Sequence, residues 1–263
     1  MRAATTLDHL FGLSERTALV TGGSSGIGRA IARALAAAGA RVLVAARTAD
    51  AIDATVAEIR SAGGAADGIR ADLGDRAGAH ALADAALDAA SDAAGGIDVL
   101  VNSAGVNLRP HLSELDEDTW DATMAVNLEA PFVLGQRLIP GMAERGYGRV
   151  IHISSQQAHR PFANSGAYGV SKAAIEGLAR TQAEAWSGRG VTVNALVPGF
   201  VQTPLNRRLS SDPAAVAALA RRTLVGRNGE AEDFAGAAVF LASPSAAYVT
   251  GQSIAVDGGF SVH

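Results

Sequence analysis

Tyr168 and Lys172 stand four residues apart in the run Ala167-Tyr168-Gly169-Val170-Ser171-Lys172, a spacing that puts both side chains on one face of a helix. A phenol beside an ammonium makes an acid that works near neutral pH. The cation favours phenolate and is expected to draw the tyrosine down from its ordinary pKa of ~10. Tyr-x-x-x-Lys also recurs by chance on helix faces, where it is only a tyrosine edge beside a solvated lysine. Two further features give the pair weight: Ser155 lies 13 residues upstream of the tyrosine, and a glycine-rich turn, Thr21-Gly22-Gly23-Ser24-Ser25-Gly26-Ile27-Gly28, opens the chain.

That turn falls between a short apolar run, Thr17 to Thr21, and a helical pattern from Gly26 to Ala38. Glycines let the backbone turn sharply and approach a phosphate, and the following helix N-terminus supplies N–H groups and the positive end of a dipole. Gly22, Ser24, Ser25, Gly26, Ile27 and Gly28 are therefore candidate nucleotide contacts, against the alternative of a loop that merely turns the chain. The spacing departs from G-x-G-x-x-G, since one residue separates the last two glycines. A carboxylate closing the second strand would accept hydrogen bonds from both adenosine ribose hydroxyls and repel a 2′-phosphate. The strand ends Val44-Ala45-Ala46-Arg47-Thr48 instead. A guanidinium there suits a 2′-phosphate and stacks on adenine, so NADP(H) is expected ahead of NAD(H). An arginine solvated at a strand end would look the same. Asp72, with Leu73 beside it, is placed to meet the adenine amino group, or to cap a helix near Gly74–Asp75.

The elements that must position these groups alternate. Apolar runs at 17–21, 41–45, 66–70, 99–101, 149–154, 191–197 and 253–256 read as strands. Helical patterns cover 26–38, 49–61, about 77–94, roughly 120–144, 168–187 and 230–241, with a loop and short helical pieces over 198–224. Pro131 and Pro140 are expected to kink or split the fourth of those helices. Strand–helix alternation with near-continuous apolar strands predicts one doubly wound parallel α/β sheet of about seven strands, helices on both faces, in a single domain. Lys+Arg is 22 and Asp+Glu is 26, a formal net charge of −4 with no long run of either sign, which argues against a nucleic-acid partner. There is no cysteine, so disulfides and cysteine-bound metals are impossible, and no metal is expected. The first 16 residues lack the apolar core of a signal peptide and no apolar stretch reaches ~18 residues, so a cytoplasmic protein without a membrane span is expected.

Taken in order, Thr21-Gly-x-x-x-Gly-Ile-Gly28, Asn102-Ser-Ala-Gly105, Asn127, Ser155, Tyr168-x-x-x-Lys172, Pro198-Gly199 with Thr203, and Val249-Thr-Gly251 with Asp257-Gly-Gly259 make the chain resemble a short-chain dehydrogenase/reductase from about Leu13 to the end. Asn-Ser-Ala-Gly replaces the commoner Asn-Asn-Ala-Gly. The resemblance implies a Rossmann-like fold and roles for single residues. Ser155 would hold the substrate carbonyl or alcohol, with Ser154 its rival. Tyr168 would exchange a proton with the substrate oxygen, and Lys172 would lower the tyrosine pKa and bond the nicotinamide ribose. Asn127 would fix a water linking Lys172 to solvent, or else satisfy a helix break. Asn102, Ala104 and Gly105 would sit at a strand end beside the cofactor. Pro198, Gly199, Val201 and Thr203 would line the nicotinamide.

Within the family, Leu10-Phe11-Gly12-Leu13-Ser14 is similar to the lead-in of gluconate 5-dehydrogenase-type members, and 193–200 to 3-oxoacyl-carrier-protein reductases. A carrier protein needs a basic docking face. The expected outer face of the helix after Tyr168 carries Glu176, Arg180 and Glu184, which is mixed. The implied reaction interconverts a small secondary alcohol and a ketone, with a polyol or keto-sugar acid favoured, a carrier-bound ketone as the alternative and a non-catalytic cofactor sensor as a remote one. The 203–224 loop is expected to cover the substrate. Arg109, Gln156, Arg160, Phe200 and Leu205, beside Ser155, are candidate substrate contacts. The resemblance implies a homotetramer built on the two long helices and the last strand, with Gly177-Leu178-Ala179 and Ala183 allowing close helix contact; the alternative packs those small residues inside the subunit.

Overall fold

In β1 (Thr17–Thr21), β2 (Arg41–Ala46) and β4 (Val99–Asn102), alternate residues face opposite sides of one sheet and both sides are covered. The strands β3 (Ala65–Arg70), β5 (Gly148–Ile153), β6 (Val191–Pro198) and β7 (Ser253–Val256) complete it, all parallel, in the order β3-β2-β1-β4-β5-β6-β7. The computed structural model describes residues 6–91 and 95–262. The helices are α1 (Thr6–Phe11), α2 (Gly26–Ala37), α3 (Ala49–Ser61), α4 (Arg76–Ser91), α5 (Glu117–Met124), α6 (Ala130–Glu144), α7 (Gly166–Trp186), α8 (Arg207–Ser210), α9 (Pro213–Arg221) and α10 (Ala235–Ala242). The last three residues of the helix expected to 94 lie outside the described residues.

The expected doubly wound sheet is therefore present, and its core has two halves. Ala18, Val20, Val42, Val44, Val99, Val101 and Ile151 pack against Ile31 and Leu35 of α2, Ile52 and Ile59 of α3, and Leu241 of α10. Leu19, Leu43, Leu100 and Val150 point the other way, onto Leu82 of α4, Leu134 and Leu138 of α6, and Ala179 and Ala183 of α7. Each valine, leucine or isoleucine among them contributes about 1.5–3 kcal/mol when fully buried. The apolar runs hold no polar alternation because neither face meets water. Ala179 and Ala183, read as possible subunit-contact residues, belong to this core, so their small size serves packing within the subunit.

The helix expected over 120–144 is two helices joined by a π-helical turn, Ala125–Glu129. It starts earlier than expected because the Asp116 carboxylate caps it, accepting from Thr119 N at 2.8 Å. The change to π geometry falls at Asn127, whose amide is turned inward. Pro131 follows directly after the π-helical turn, in the first turn of α6. Pro140 is carried inside α6 without splitting it.

The strand order reverses between β1 and β4, the place where an open parallel sheet leaves a crevice at its carboxyl ends. Thr21 and Asn102 face each other there in register. The Thr21 hydroxyl accepts from Ser103 N and Ala104 N, both at 3.1 Å, which ties the two strand ends together. Among the described residues no helix is long and apolar enough to cross a membrane, and no group of His, Cys, Asp or Glu is arranged to hold a metal ion.

Candidate active site

A cleft of about 980 Å³ opens at that crevice. Its floor carries the residues with which the sequence analysis began. Ser155 follows β5 and begins a short 3-10 turn, Gln156–Ala158, with its Oγ accepting from Gln157 N at 3.2 Å. Tyr168 lies in the first turn of α7, and its phenol stands close enough to the Ser155 hydroxyl for that hydroxyl to favour the phenolate. Lys172, one turn further on, is 5 % exposed. Its ammonium donates to Ile153 O at 2.7 Å and stands 5.7 Å from the centre of the Tyr168 ring. Ser154, the rival serine, points away from the cleft chemistry and donates to Glu176 Oε1 at 2.6 Å.

The electrostatics differ from the sequence expectation. Burial of the phenol dominates and holds Tyr168 above its ordinary value, against the hydrogen bond from Ser155 and the positive charge of Arg109. Lys172 is not the cation that pulls the tyrosine down here. Burial instead draws its own ammonium from 10.5 to about 8. The cation that bears on the phenol is Arg109, itself lowered by burial.

Asn127 is placed behind the cleft. Its Oδ1 accepts from Val106 N at 2.9 Å, and its Nδ2 donates to Val106 O and to Ser171 Oγ, both at 3.0 Å. The amide therefore clamps the segment after Gly105 onto the helix that carries Tyr168, and none of these three bonds goes to a backbone group of the helix break. Asn102 also lies beneath the cleft lining. Its Nδ2 meets His152 Nδ1 at 3.2 Å, and His152 Nε2 meets Gln182 Oε1 at 2.9 Å. His152 is fully enclosed, and burial first, with the Lys172 charge adding to it, lowers it from 6.5 to about 4.

The other candidate cofactor contacts come together along the cleft: Gly22, Ser24, Ser25, Gly26, Ile27 and Gly28, then Arg47, Asp72 and Leu73, then Ala104 and Gly105, and across from them Pro198, Gly199, Val201 and Thr203. Their shape fits a dinucleotide. Gly22 has φ of +64°, and a Cβ there would lie 2.8 Å from Ala104 N; one on Gly28 would lie 2.3 Å from Gly22 O. Only glycine allows the turn to close this tightly. Ser25, at the N-cap of α2, makes no side-chain cap and the first turn holds no acid, so the N–H groups of this helix end are left for an anion. Arg47 is exposed at the end of β2, and Arg70 Nε donates to its carbonyl at 3.1 Å. Asp72 lines the cleft while its Oδ1 accepts from Gly74 N. The cap before α4 falls to Asp75, which accepts from Gly78 N at 2.7 Å.

The outer part of the cleft holds Arg109, Gln156, Phe200 and Leu205, four of the expected substrate contacts, beside Ser155. Arg160 is a correction: it is exposed and does not line the cleft, because the 3-10 turn after Ser155 carries the chain outward before that position. Arg109 is tied to the opposite rim, donating to Asn164 O at 3.0 Å and Ala163 O at 2.6 Å. The segment expected to cover the site, 203–224, contributes Leu205, Asn206, Arg208 and Leu209. Asn206 accepts from Asn107 Nδ2 at 3.2 Å, joining that segment to the loop after β4. Three lining residues carried no sequence signal. Arg222 places its guanidinium 4.2 Å from the Phe260 ring centre and 5.8 Å from that of Phe162, with the two rings 5.9 Å apart. Asp212 caps α9 at the same mouth. Phe162 and Phe260 lie 98 positions apart, beyond what spacing reveals. Glu176, placed on the outer face of its helix by sequence, is 3 % exposed; Arg180 and Glu184 do face outward.

Comparison with known proteins gives the same assignment throughout the chain. A family model described as "Enoyl-(Acyl carrier protein) reductase" matches residues 22–261. A galactitol 2-dehydrogenase (L-tagatose-forming) of Cereibacter sphaeroides is 41 % identical over 257 residues, covering 96 % of this chain and 98 % of its own. A structure of a putative NAD(P)-dependent gluconate 5-dehydrogenase from Beutenbergia cavernae, with bound NADP at low occupancy, superposes with a TM-score of 0.91 at 43 % identity, covering 97 % of this chain and 100 % of its own. A gluconate 5-dehydrogenase from Burkholderia cenocepacia, in complex with NADP and tartrate, superposes with a TM-score of 0.90 at 36 % identity, covering 97 % and 99 %. With the glycine turn, the Ser–Tyr–Lys cluster and the seven-stranded parallel sheet in place, the chain belongs to the short-chain dehydrogenase/reductase family of NAD(P)-dependent oxidoreductases.

Proposed function

We propose that this protein uses NADP(H) to interconvert a secondary alcohol and a ketone on a polyol or keto-sugar acid, with Tyr168 as the acid/base. The observation that carries this reading is the clustering of Ser155, Tyr168 and Lys172, all buried, on the floor of a cleft whose outer half is rich in guanidinium groups. The nicotinamide, when bound, supplies or accepts the hydride. In the reducing direction the Tyr168 hydroxyl gives its proton to the substrate oxygen, and the Ser155 hydroxyl donates a hydrogen bond to the same oxygen. In the oxidising direction Tyr168 takes that proton back. Lys172, buried beneath them, sets the local charge and is positioned to reach a ribose hydroxyl. Asn127 holds the α5–α6 break against Val106 and Ser171 and so keeps the segment carrying Gly105 in place.

Three features support the substrate class. Arg109, Arg208 and Arg222 all line the outer cleft, with one carboxylate, Asp212, among them, which favours an anionic substrate. Gln156 lines the same part of the cleft and brings a side-chain amide able to bond a substrate hydroxyl. The related proteins are named for galactitol and gluconate oxidation, and one of the solved relatives holds tartrate, a hydroxy acid. A panel of keto-sugar acids, β-ketoesters and simple ketones with NADPH, and of polyols and aldonates with NADP⁺, tests the reading. The highest kcat/KM should fall on a polyol, an aldonate or a keto-sugar acid, and a β-ketoester as best substrate would overturn it.

The NADP(H) preference rests on Arg47 and on relatives that hold NADP. Arg47→Asp should lower kcat/KM with NADPH by on the order of 10- to 100-fold, the loss of one charge-assisted phosphate contact of about 1.5–3 kcal/mol, without a matching loss with NADH. Steady-state kinetics with both cofactors check this, and unchanged use of NADPH would show that Arg47 does not meet the 2′-phosphate. Association through the long helices is supported by Trp120, Phe132 and Val170, exposed apolar residues on α5, α6 and α7; on this reading the protein assembles as a homotetramer.

A further inference from the structure

Glu176 lies one turn beyond Lys172 on α7 and is almost fully enclosed, yet none of its bonds goes to another residue of the acid/base cluster. Its carboxylate gathers three donors from three separate elements. Ser154 Oγ, at the end of β5, reaches Oε1 at 2.6 Å, and the same hydroxyl also meets Lys172 O at 3.1 Å. Ser253 Oγ, at the start of β7, reaches Oε2 at 2.8 Å. His159 Nε2 stands 3.1 Å from Oε2. A carboxylate so enclosed is retained only when its oxygens are satisfied, and these are.

The two ends of the turn that carries Ser155 are both among those donors. Ser154 immediately precedes Ser155. His159 ends the 3-10 turn Gln156–Ala158, closed by Ala158 N to Ser155 O at 2.9 Å and His159 N to Gln156 O at 3.2 Å. One carboxylate thus grips the short segment on either side of the catalytic serine and of Gln156. We propose that Glu176 is a positioning residue: with Ser154 and His159 it brackets the 155–158 turn and sets where the Ser155 hydroxyl stands against Tyr168. Ser253 fixes the bracket to the last strand. Among the described residues the bonds of Glu176 reach Ser154, Ser253 and His159 and none of Gly22–Gly28 or Arg47. The link toward Lys172 is only to its backbone carbonyl through Ser154, so the bracket governs turnover and substrate affinity ahead of cofactor binding. The proposal rests on the catalytic reading of Ser155 given above.

The test uses the full chain with NADPH and 5-keto-D-gluconate as probes. His159 is 58 % exposed, so His159→Ala will fold. It should lower kcat about tenfold with an unchanged NADPH Kd, and its crystal structure should show Ser155 Oγ displaced from its parental place beside Tyr168. Glu176→Ala should lower kcat by about 100-fold, the cost of misplacing a reacting group by about 1 Å. Glu176→Gln keeps an acceptor for Ser154 and an amide that a hydroxyl and an imidazole nitrogen both accept, and should return kcat to within about threefold of the parent. A His159→Ala enzyme with parental kcat or an unmoved Ser155 overturns the proposal, as does a Glu176→Gln enzyme as slow as Glu176→Ala. Ser155→Ala separates the two claims: parental turnover in that variant removes the catalytic reading, whereas an inactive Ser155→Ala beside an unimpaired His159→Ala removes the bracket alone.

Discussion

Replacing Tyr168 with phenylalanine will lower kcat by about 10²- to 10⁴-fold, the range for a positioned general acid or base, and will leave the NADPH Kd within about twofold. The ring is 6 % exposed and packs at the start of α7. Phenylalanine keeps that packing and loses only the hydroxyl, so the fold and the cofactor cleft survive. What goes is the proton and the phenol's interaction with the Ser155 hydroxyl. Rapid-mixing and steady-state kinetics, together with NADPH fluorescence titration, separate the two effects; parental turnover would remove Tyr168 from the chemistry. The direction of the tyrosine shift adds a pH signature. Burial holds the phenol above its ordinary value, so the proton needed for ketone reduction is in place throughout the neutral range. Alcohol oxidation needs the phenolate, and its kcat should climb with pH above neutrality while reduction stays flat.

Acidification from about pH 6.5 to about pH 4 will cost the folded protein about 3 kcal/mol at His152 alone. The imidazole lies in the middle of the sheet, held neutral by burial at about 4, where an unfolded chain would titrate near 6.5. Between those values the unfolded state binds the extra proton, so stability falls as pH falls through the window and is fully present above it. Asn102 and Gln182 occupy the two ring nitrogens, and neither is an acid that would accept the added charge. Urea midpoints for the parent and for His152→Asn across this pH range isolate the term. The variant should lose less stability than the parent by about that amount, and parallel curves would show that the buried imidazole is not kept neutral. Asn102 links this network to the strand end under the cofactor cleft, so the acid limit of stability and that of activity should fall together.

The parts of the molecule legible in sequence are those set by local rules. A strand buried on both faces shows as an apolar run, and β1, β2 and β4 were readable for that reason. The Gly22–Gly28 turn was readable because only glycine fits where a Cβ would meet backbone. Ser155, Tyr168 and Lys172 were readable because their order and spacing survive outside the fold. What sequence misplaced depends on three-dimensional context. Glu176 occupies a helix position that spacing assigns to solvent, yet a serine just after β5 and one at the start of β7 reach it. Arg160 carries the right charge in the right segment, and a three-residue turn directs it away. Arg222 meets Phe162 and Phe260, residues far apart in the chain, only once the chain is folded. The tyrosine shift was misjudged in sign because a helical spacing reports a nearby cation and says nothing of desolvation, which is the larger effect here.

Lys172 is the only lysine in the sequence; every other Lys or Arg position is arginine. The sole ε-amine of the protein is therefore the enclosed one at the centre of the candidate site, drawn down to about 8. Protein grown on isotope-labelled lysine would carry a single side-chain signal, and that signal would come from the site itself. Its protonation, and the arrival of a ribose hydroxyl or a substrate beside it, would be visible in the intact enzyme without assignment or mutation. The same fact makes amine-directed reagents a probe of access to the cleft, because the rest of the folded surface offers them no lysine.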